Sequence, residues 1–346
     1  MTEAIQVLVT GVGGDLGQAL VKALRLSTRP IVCHGSDADE AGVGAVFVES
    51  FQILPRAEDP SYVNVLDRVC GALGVDVVIP GSEQEIAVLS QLGQPPRLPS
   101  GIRVICQQWR WIERYGDKLT CMQTLTGHVE LSPFADGADR QAVADVIQQV
   151  GFPVVVKSRR SRGSRSLRVV HDQPELDRAL KATSLPLLQA FLDDSGGEFS
   201  VGVFACEPFS SAIAFKRQLG PSGCSWFAQT STDASVLDYA MAIARLSHLK
   251  GSANIQVRKT SQGVRLLEVN PRFSSLVAAR AACGFRDVEW AIELALGRSL
   301  EQPDGEFRHL RFRRFFHELV DVGEGFKAVA QWSPREMPMA CWRVKR

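Results

Sequence analysis

The segment RLLEVNPRFSS, Arg265 to Ser275, ends an apolar run on Glu-x-Asn-Pro-Arg. Side chains alternate along a strand, so Glu268 and Asn270 share one face, about 7 Å apart along the backbone. Two oxygen donors at that spacing suit Mg²⁺, which takes one or two carboxylates and completes its shell with phosphate and water. Pro271 has no N–H to give to a ladder and closes the strand. A solvated acid beside a turn asparagine would have the same local sequence, so the rest of the chain must separate the two readings.

Outward from this segment, the bulk properties narrow the choice. A chain of 346 residues exceeds one ordinary core, which predicts two or three domains. With 45% hydrophobic and 22% charged residues, it reads as a soluble globular protein. A formal net charge of +1 gives no global field that would draw it to nucleic acid or an anionic membrane. No apolar run reaches about 18 residues, so no transmembrane helix is expected. The start, MTEAIQVLVTG, enters a strand without a basic stretch, which argues against a signal peptide. The eight cysteines are scattered with no C-x-x-C pair. They read as reduced thiols of a cytoplasmic protein, not as a zinc site or a disulfide frame.

Periodicity divides the chain in two styles. IQVLVTG, PIVCHG, DVVIP and IRVIC read as buried strands, and DLGQALVKALRLS, 59–73 and 83–91 as helices between them. That alternation over about 105 residues predicts a doubly wound parallel sheet. Beyond about residue 115 the pattern becomes α+β. ADRQAVADVIQQVG is a helix ending at Gly151, FPVVVKS a strand, RRSRGSRS a loop and LRVV the returning strand. Helix 173–182, strand LPLLQA, a run of strands from Glu198 to Thr230, helix 233–248, and strands SANIQVRK and VRLLEVN follow.

Three constellations carry chemistry. VTGVGGDLG places Gly11, Gly14 and Gly17 between a strand and a helix, with Asp37 near the end of the next strand. This is similar to a dinucleotide fingerprint and keeps a nicotinamide-dependent short-chain dehydrogenase or epimerase in play. Such an enzyme also needs Tyr-x-x-x-Lys, and none of Tyr62, Tyr115 and Tyr239 has a lysine four residues on. In FPVVVKSRRSRGSRSLRVV, Lys157 ends a buried strand beside a loop carrying Arg159, Arg160, Arg162 and Arg165. A lysine there can pair with nucleotide phosphates while the loop closes over them. RNA binding is the rival reading, but it wants aromatics interleaved with the charges, and this loop has none. Finally, LLQAFLDDSGGEFSVGVF puts Glu198 at the base of a strand, AFKRQLG supplies Lys216 and Arg217, and GSANIQVRKT sets Asn254 and Gln256 on one face.

In this order, Lys118 in GDKLTCMQ, Lys157 after PVVV, the Gly/Ser loop, LLQAFL before GGEFSV, ANIQV and LLEVNPRFSS resemble the ATP-grasp superfamily, in the branch that includes the carbamoyl phosphate synthetase large chain. The resemblance runs from residue 5 to about 300. It implies an α/β Rossmann-like pre-ATP-grasp domain over 1–112, followed by an α+β ATP-grasp fold with a small lid subdomain over 113–186 and a large subdomain over 187–346. It implies that Lys118 and Lys157 contact ATP phosphates, with Arg217, and with Gly163 and Ser164 in a lid spanning 159–166. Gln189, Ala190, Phe191 and Leu192 would form the hinge strand facing adenine, and Glu198 would hold the ribose. Gln256, Glu268 and Asn270 would ligate Mg²⁺, for which Mn²⁺ could substitute. Arg272, with Lys157, would serve catalysis at an acyl phosphate. Two departures stand out. Ala190 occupies a position where many relatives carry an acid, and the lid has more arginines and fewer glycines than usual.

The implied reaction is ADP-forming ligation: a carboxylate is activated as an acyl phosphate and attacked by an amine. The chain is too short for two fused synthetase halves. Another acceptor, such as a thiol or a carbamate, and a non-catalytic nucleotide-binding protein are the alternatives. The expected partners are small-molecule carboxylate and amine substrates, with no nucleic acid and no membrane, and a homodimer is compatible with the family.

Overall fold

The computed structural model describes residues 3–40, 42–160, 167–220, 223–300, 306–315, 319–321 and 326–328. The first sheet contains β1 (Ile5–Val9), β2 (Ile31–Asp37), β3 (Ser50–Ile53), β4 (Val77–Ile79) and β5 (Arg103–Val104), in the order β3-β2-β1-β4-β5 with every pair parallel. The central strand is apolar on both faces because both are covered. Val7, Leu8 and Val9 have no exposed surface. Helices α1 (Asp15–Leu24), α2 (Tyr62–Leu73) and α3 (Glu83–Leu89) fill the crossovers. Ser82 starts α3 as its N-cap, accepting from the Glu85 N–H at 3.3 Å. Glycine is required at Gly17, where a Cβ would lie 2.2 Å from the Gly11 carbonyl. The helix can approach the strand-end loop only without a side chain there.

Two helices, α4 (Trp109–Gly116) and α5 (Lys118–Leu125), lead into the second part and pack against its last long strand. A four-stranded antiparallel sheet follows: β6 (Phe134–Asp136), β7 (Val154–Ser158), β8 (Arg168–Val170) and β9 (Pro186–Ala190), in the order β6-β9-β7-β8. Its helices are α6 (Arg140–Val150), capped by Asp139 and stopped at Gly151, and α7 (Gln173–Ala182), capped by Asp172. Val154, Val156, Leu176 and Leu188 form its core. The division expected between 186 and 187 falls inside β9, which pairs on both sides within this sheet.

The largest sheet is built from β10 (Gly197–Cys206), β11 (Phe209–Leu219), β12 (Ser225–Ser231), β13 (Gly251–Thr260), β14 (Gly263–Asn270) and β15 (Arg311–Arg313), in the order β14-β13-β10-β11-β12-β15. Helix α8 (Ala234–Leu246) covers one face, where Val201, Val236, Ile243 and Ile255 meet. The other face takes α9 (Val277–Cys283) and α10 (Asp287–Ala295). There Phe204, Phe215, Phe285 and Trp290 join one continuous core with Val7, Val9 and Leu20 of the first sheet. Each fully buried side chain of that size contributes about 1.5–3 kcal/mol, so this contact fixes the N-terminal sheet against the C-terminal one. A short hairpin, β16 (Leu319–Asp321) with β17 (Phe326–Ala328), ends the described chain. Among the described residues, no helix is long and apolar enough to cross a membrane.

Candidate active site

Sheet register decides which side chains meet. Glu198 on β10 lies between Arg217 on β11 and Arg258 on β13, and Gln256 on β13 pairs with Glu268 on β14. Cross-strand neighbours on one face are within side-chain reach. One carboxylate oxygen of Glu198 accepts from Arg217 Nη2 at 2.6 Å and the other from Arg258 Nη2 at 2.9 Å. Arg217 Nη2 also donates to Gln256 Oε1 at 2.6 Å. This row faces β7 and β9 across a cavity of about 280 Å³, into which Lys118, Lys157, Gln189, Phe191 and Glu268 also reach.

At the closed end, two lysines approach one carboxylate. Lys118 Nζ lies 3.1 Å from Glu268 Oε2. Lys157 Nζ donates to the Leu267 carbonyl at 3.1 Å, and Asn270 Nδ2 donates to Glu268 Oε1 at 3.0 Å. The two lysines are only 9% and 7% exposed. Burial, and then the charge of Lys118, lowers the Lys157 ammonium to about 8. Burial alone would push the Glu268 carboxyl up. Lys118, the Asn270 hydrogen bond and Lys157 outweigh it and hold the group below the ordinary carboxylate range. The closed end thus keeps an ionised acid beside two desolvated amines, two amide oxygens and room for a polyanion.

Lys118 owes its place to Asp117. This buried residue is the N-cap of α5, accepting from Leu119 N and Thr120 N at 3.1 Å. The same carboxylate pairs with Arg159 at 3.0 Å and Arg160 at 3.1 Å, while the Lys118 N–H donates to the Arg159 carbonyl at 3.2 Å. The base of the arginine loop and the first turn of α5 are thereby one unit. Asp117→Ala removes the cap and leaves two guanidinium groups without this partner. Stability should fall by about 2 kcal/mol, the upper range for a lost cap, read as a lower urea midpoint. An unchanged midpoint would contradict this coupling.

The sequence-derived residues divide clearly. Lys118, Lys157, Gln189, Ala190, Phe191, Leu192, Glu198, Arg217, Gln256 and Glu268 all line the cavity, and Asn270 is hydrogen-bonded to Glu268. The hinge is partly engaged within the protein. The Ala190 N–H donates to the Pro133 carbonyl at 2.9 Å, and Gln189 Nε2 donates to Ser132 Oγ and the Leu266 carbonyl at 2.7 and 3.2 Å. Arg272 reaches the edge of this group, donating from Nη2 to Asn270 Oδ1 at 3.4 Å, while its shorter contacts are to Glu83 at the start of α3 at 2.8 Å and to the Phe273 carbonyl at 2.9 Å. Gly163, Ser164, Arg162 and Arg165 lie outside the described residues. Asp37 is engaged within its own loop. Its carboxylate accepts from Gly13 N at 2.8 Å and from Asp39 N at 3.1 Å, closing the glycine turn on itself.

Sequence reading passed over Arg258. It stands two residues after Gln256, so strand alternation already put it on the cavity face, where it bonds both Glu198 and the Leu192 carbonyl at 3.2 Å. Asp117 also had a signal, an aspartate directly before a helix.

Residues 185–315 match the family model "ATP-grasp in the biosynthetic pathway with Ter operon". Among curated proteins, a pyruvate carboxylase subunit of Methanothermobacter thermautotrophicus is 27% identical over 192 residues, covering 52% of this chain and 38% of that protein. The C-terminal section of the carbamoyl phosphate synthase large chain of Aquifex aeolicus is 24% identical over 252 residues, 65% of this chain and 46% of that protein. The chain thus spans less than half of each of these relatives. Among solved structures, an ADP complex of N5-carboxyaminoimidazole ribonucleotide synthetase superposes with a TM-score of 0.70 at 14% identity, covering 90% of this chain and 81% of the other. The biotin carboxylase domain of 2-oxoglutarate carboxylase from Hydrogenobacter thermophilus, solved with MgADP, gives 0.69 at 15% identity, covering 89% and 73%. Residues 185–315 thus resemble an ATP-grasp family, the chain shares the fold of these solved structures over most of its length, and carbamoyl phosphate synthase large chains are among its sequence relatives.

Proposed function

We propose that this protein is an ATP- and Mg²⁺-dependent, ADP-forming ligase that activates a carboxylate as an acyl phosphate for attack by an amine. The observation that carries the reading is the closed end of the cavity. Two buried lysines from separate elements, α5 and β7, converge on Glu268, with Gln256 and Asn270 beside it. The donor set fits the metal in kind: one ionised carboxylate and two amide oxygens are hard ligands that Mg²⁺ or Mn²⁺ accepts, with Gln256 Oε1 exchanging its bond to Arg217 and Asn270 Oδ1 its bond to Arg272 for the ion. Among the described residues, no three His, Cys, Asp or Glu side chains converge as a metal site. A divalent ion here would therefore complete its shell with nucleotide phosphates and water. Bound there, it would offset charge on the transferring phosphoryl group.

The chain's own groups divide the remaining work. Lys118 and Lys157 receive phosphate oxygens, and doing so means leaving Glu268 and the Leu267 carbonyl. Phe191 and Leu192 offer the adenine a wall and backbone groups, since Ala190 N–H is engaged with Pro133. Glu198, held by Arg217 and Arg258, keeps lone pairs for ribose hydroxyls. The loop 159–166, including Gly163 and Ser164, acts as lid, and Arg272 meets the acyl phosphate after release from Glu83. In domain terms, residues 1–112 are the Rossmann-like pre-ATP-grasp unit, the segment from 113 through β9 is the lid, and the rest of the chain is the large subdomain. The all-parallel sheet and the antiparallel one support this division. Small-molecule carboxylate and amine substrates, a homodimer like the dimeric biotin carboxylase domain, and a cytoplasmic location complete the reading. Seven described cysteines are free thiols.

Thermal denaturation tests the reading directly. A ligand that binds only the native state raises the midpoint. ATP with Mg²⁺ should do so, and NAD(P) should not. A shift with NAD(P) alone would restore the dinucleotide reading of Gly11, Gly14 and Gly17.

A further inference from the structure

Behind the metal-binding strand end lies a second charged group that the proposed chemistry does not use. Arg280 on α9 is fully buried, and so is Asp287 at the start of α10; Arg280 Nη1 donates to Asp287 Oδ2 at 2.9 Å. Arg280 Nη2 donates to Asn254 Oδ1 at 2.6 Å and to Ser274 Oγ at 2.8 Å. Ser252 Oγ donates to Asp287 Oδ2 at 2.8 Å, and Ser200 Oγ donates to Asn254 Oδ1 at 2.7 Å. The fold makes room for the guanidinium at Gly202, where a Cβ would lie 2.4 Å from Arg280 Nε.

Stability alone is a weak reason for this pair. Burial opposes both charges, pushing the Asp287 carboxyl up and the Arg280 guanidinium down. Arg280 Nε and Asp287 Oδ1 have no hydrogen-bond partner. Well-packed apolar residues of similar volume are often as stable as such a pair or more so. What the pair does geometrically is join two pieces of chain. Asn254 lies opposite Asn270 in the β13–β14 register. Ser274 lies two residues beyond Arg272. One guanidinium nitrogen therefore ties together the strand that backs Asn270 and the turn that carries Arg272.

We propose that Arg280 is a positioning residue: with Asp287 as its counter-charge, it holds Asn254 and Ser274 so that the end of β14 presents Asn270 and Arg272 in one fixed arrangement. This rests on the reading of the cavity as a metal–nucleotide site. A metal ligand set half an ångström out of place binds poorly even when the surrounding fold is sound. Lysine cannot replace this group, because an ammonium has no planar fork with which to span two acceptors.

The test separates stability from metal binding. Thermal midpoints are measured for the apo protein, with ADP in EDTA, and with ADP and Mg²⁺. Arg280→Met combined with Asp287→Leu removes both charges together. The expected result is an apo midpoint equal to or above wild type, an unchanged shift with ADP in EDTA, and an apparent affinity for ADP in Mg²⁺ at least ~10-fold weaker, the scale of lost outer-shell support for a metal ligand. Arg280→Lys should weaken the Mg²⁺ effect by a smaller factor. If the double variant does not fold, Ser274→Ala removes the loop tie, together with the oxygen that accepts from Leu276 N at 3.3 Å, and should reduce the Mg²⁺ effect about 3-fold or more, below the lower range for an outer-shell partner. A folded variant with a wild-type Mg²⁺ increment would overturn the positioning role. A wild-type protein with no shift from ADP under any condition would instead overturn the reading of the cavity, and this inference with it.

Discussion

Glu268→Gln protein is expected to release ADP from ATP about 10²–10³-fold more slowly than wild type, the scale on which one preorganised electrostatic partner acts. The substitution keeps the shape of the side chain and removes its charge. Lys118, 3.1 Å away, and Lys157 then lose this anion, and the divalent ion we propose would lose the one carboxylate in its donor set. The apo protein should become less stable, because two nearly buried ammonium groups are left less compensated. Both effects come from one atom pair, so they should appear together: slower ADP release at saturating Mg²⁺, and a lower urea midpoint without nucleotide. ADP release at the wild-type rate would remove Glu268 from the metal site.

Lys157→Met should act with opposite signs on stability and on binding. The Lys157 ammonium is nearly buried and has a second ammonium as neighbour, and its proton is held with a pKa of about 8. An apolar side chain of similar length removes that penalty, so the apo midpoint should rise. ATP affinity should fall about 10²-fold, as expected when one member of a buried charge pair is lost. The wild-type pH dependence follows from the same shift. The folded protein gives up this proton near pH 8, whereas the unfolded chain keeps it to the ordinary lysine value. Between the two the unfolded state binds more protons, so apo stability rises with pH. Over the same interval nucleotide affinity should decline, because the ammonium we propose to meet the phosphates loses its charge. Both slopes should flatten in the methionine variant. Equal ATP affinity in the two proteins at pH 7 would show that Lys157 meets no phosphate.

The division between what the sequence revealed and what it hid follows from distance along the chain. Strand alternation was enough to put Glu268 and Asn270 on one face, and the boundaries of α7 and β14 followed from apolar spacing and turn residues. Strand β3, Ser50–Ile53, escaped because it is a four-residue edge strand with no fully buried side chain. Helix α4 was legible in principle, since Trp111, Ile112 and Tyr115 fall on the covered side and Arg110, Glu113 and Arg114 on the exposed one, but its eight residues are a short run between two motifs. Arg272 was legible as a charge at a strand end, but its partner Glu83 is 189 residues away, and no local pattern encodes that meeting. The same holds for Asp117, which the sequence offers as a helix cap and the fold also uses to fasten Arg159. Asp37 shows the reverse case. Its position fits a ribose-binding acid, yet the short route to the Gly13 N–H takes the carboxylate first.

The claim that organises all of these residues is carboxylate activation through phosphoryl transfer, and the nucleotide product is its most direct measure. ATP, Mg²⁺ and the purified protein should be incubated with pools of carboxylates and amines, and ADP, AMP and both phosphates quantified. The account predicts ADP and orthophosphate in equal amounts, formed only when a matching carboxylate is present and lost in Glu268→Gln. Formation of AMP and pyrophosphate would contradict it, as would ADP release that Glu268→Gln leaves intact.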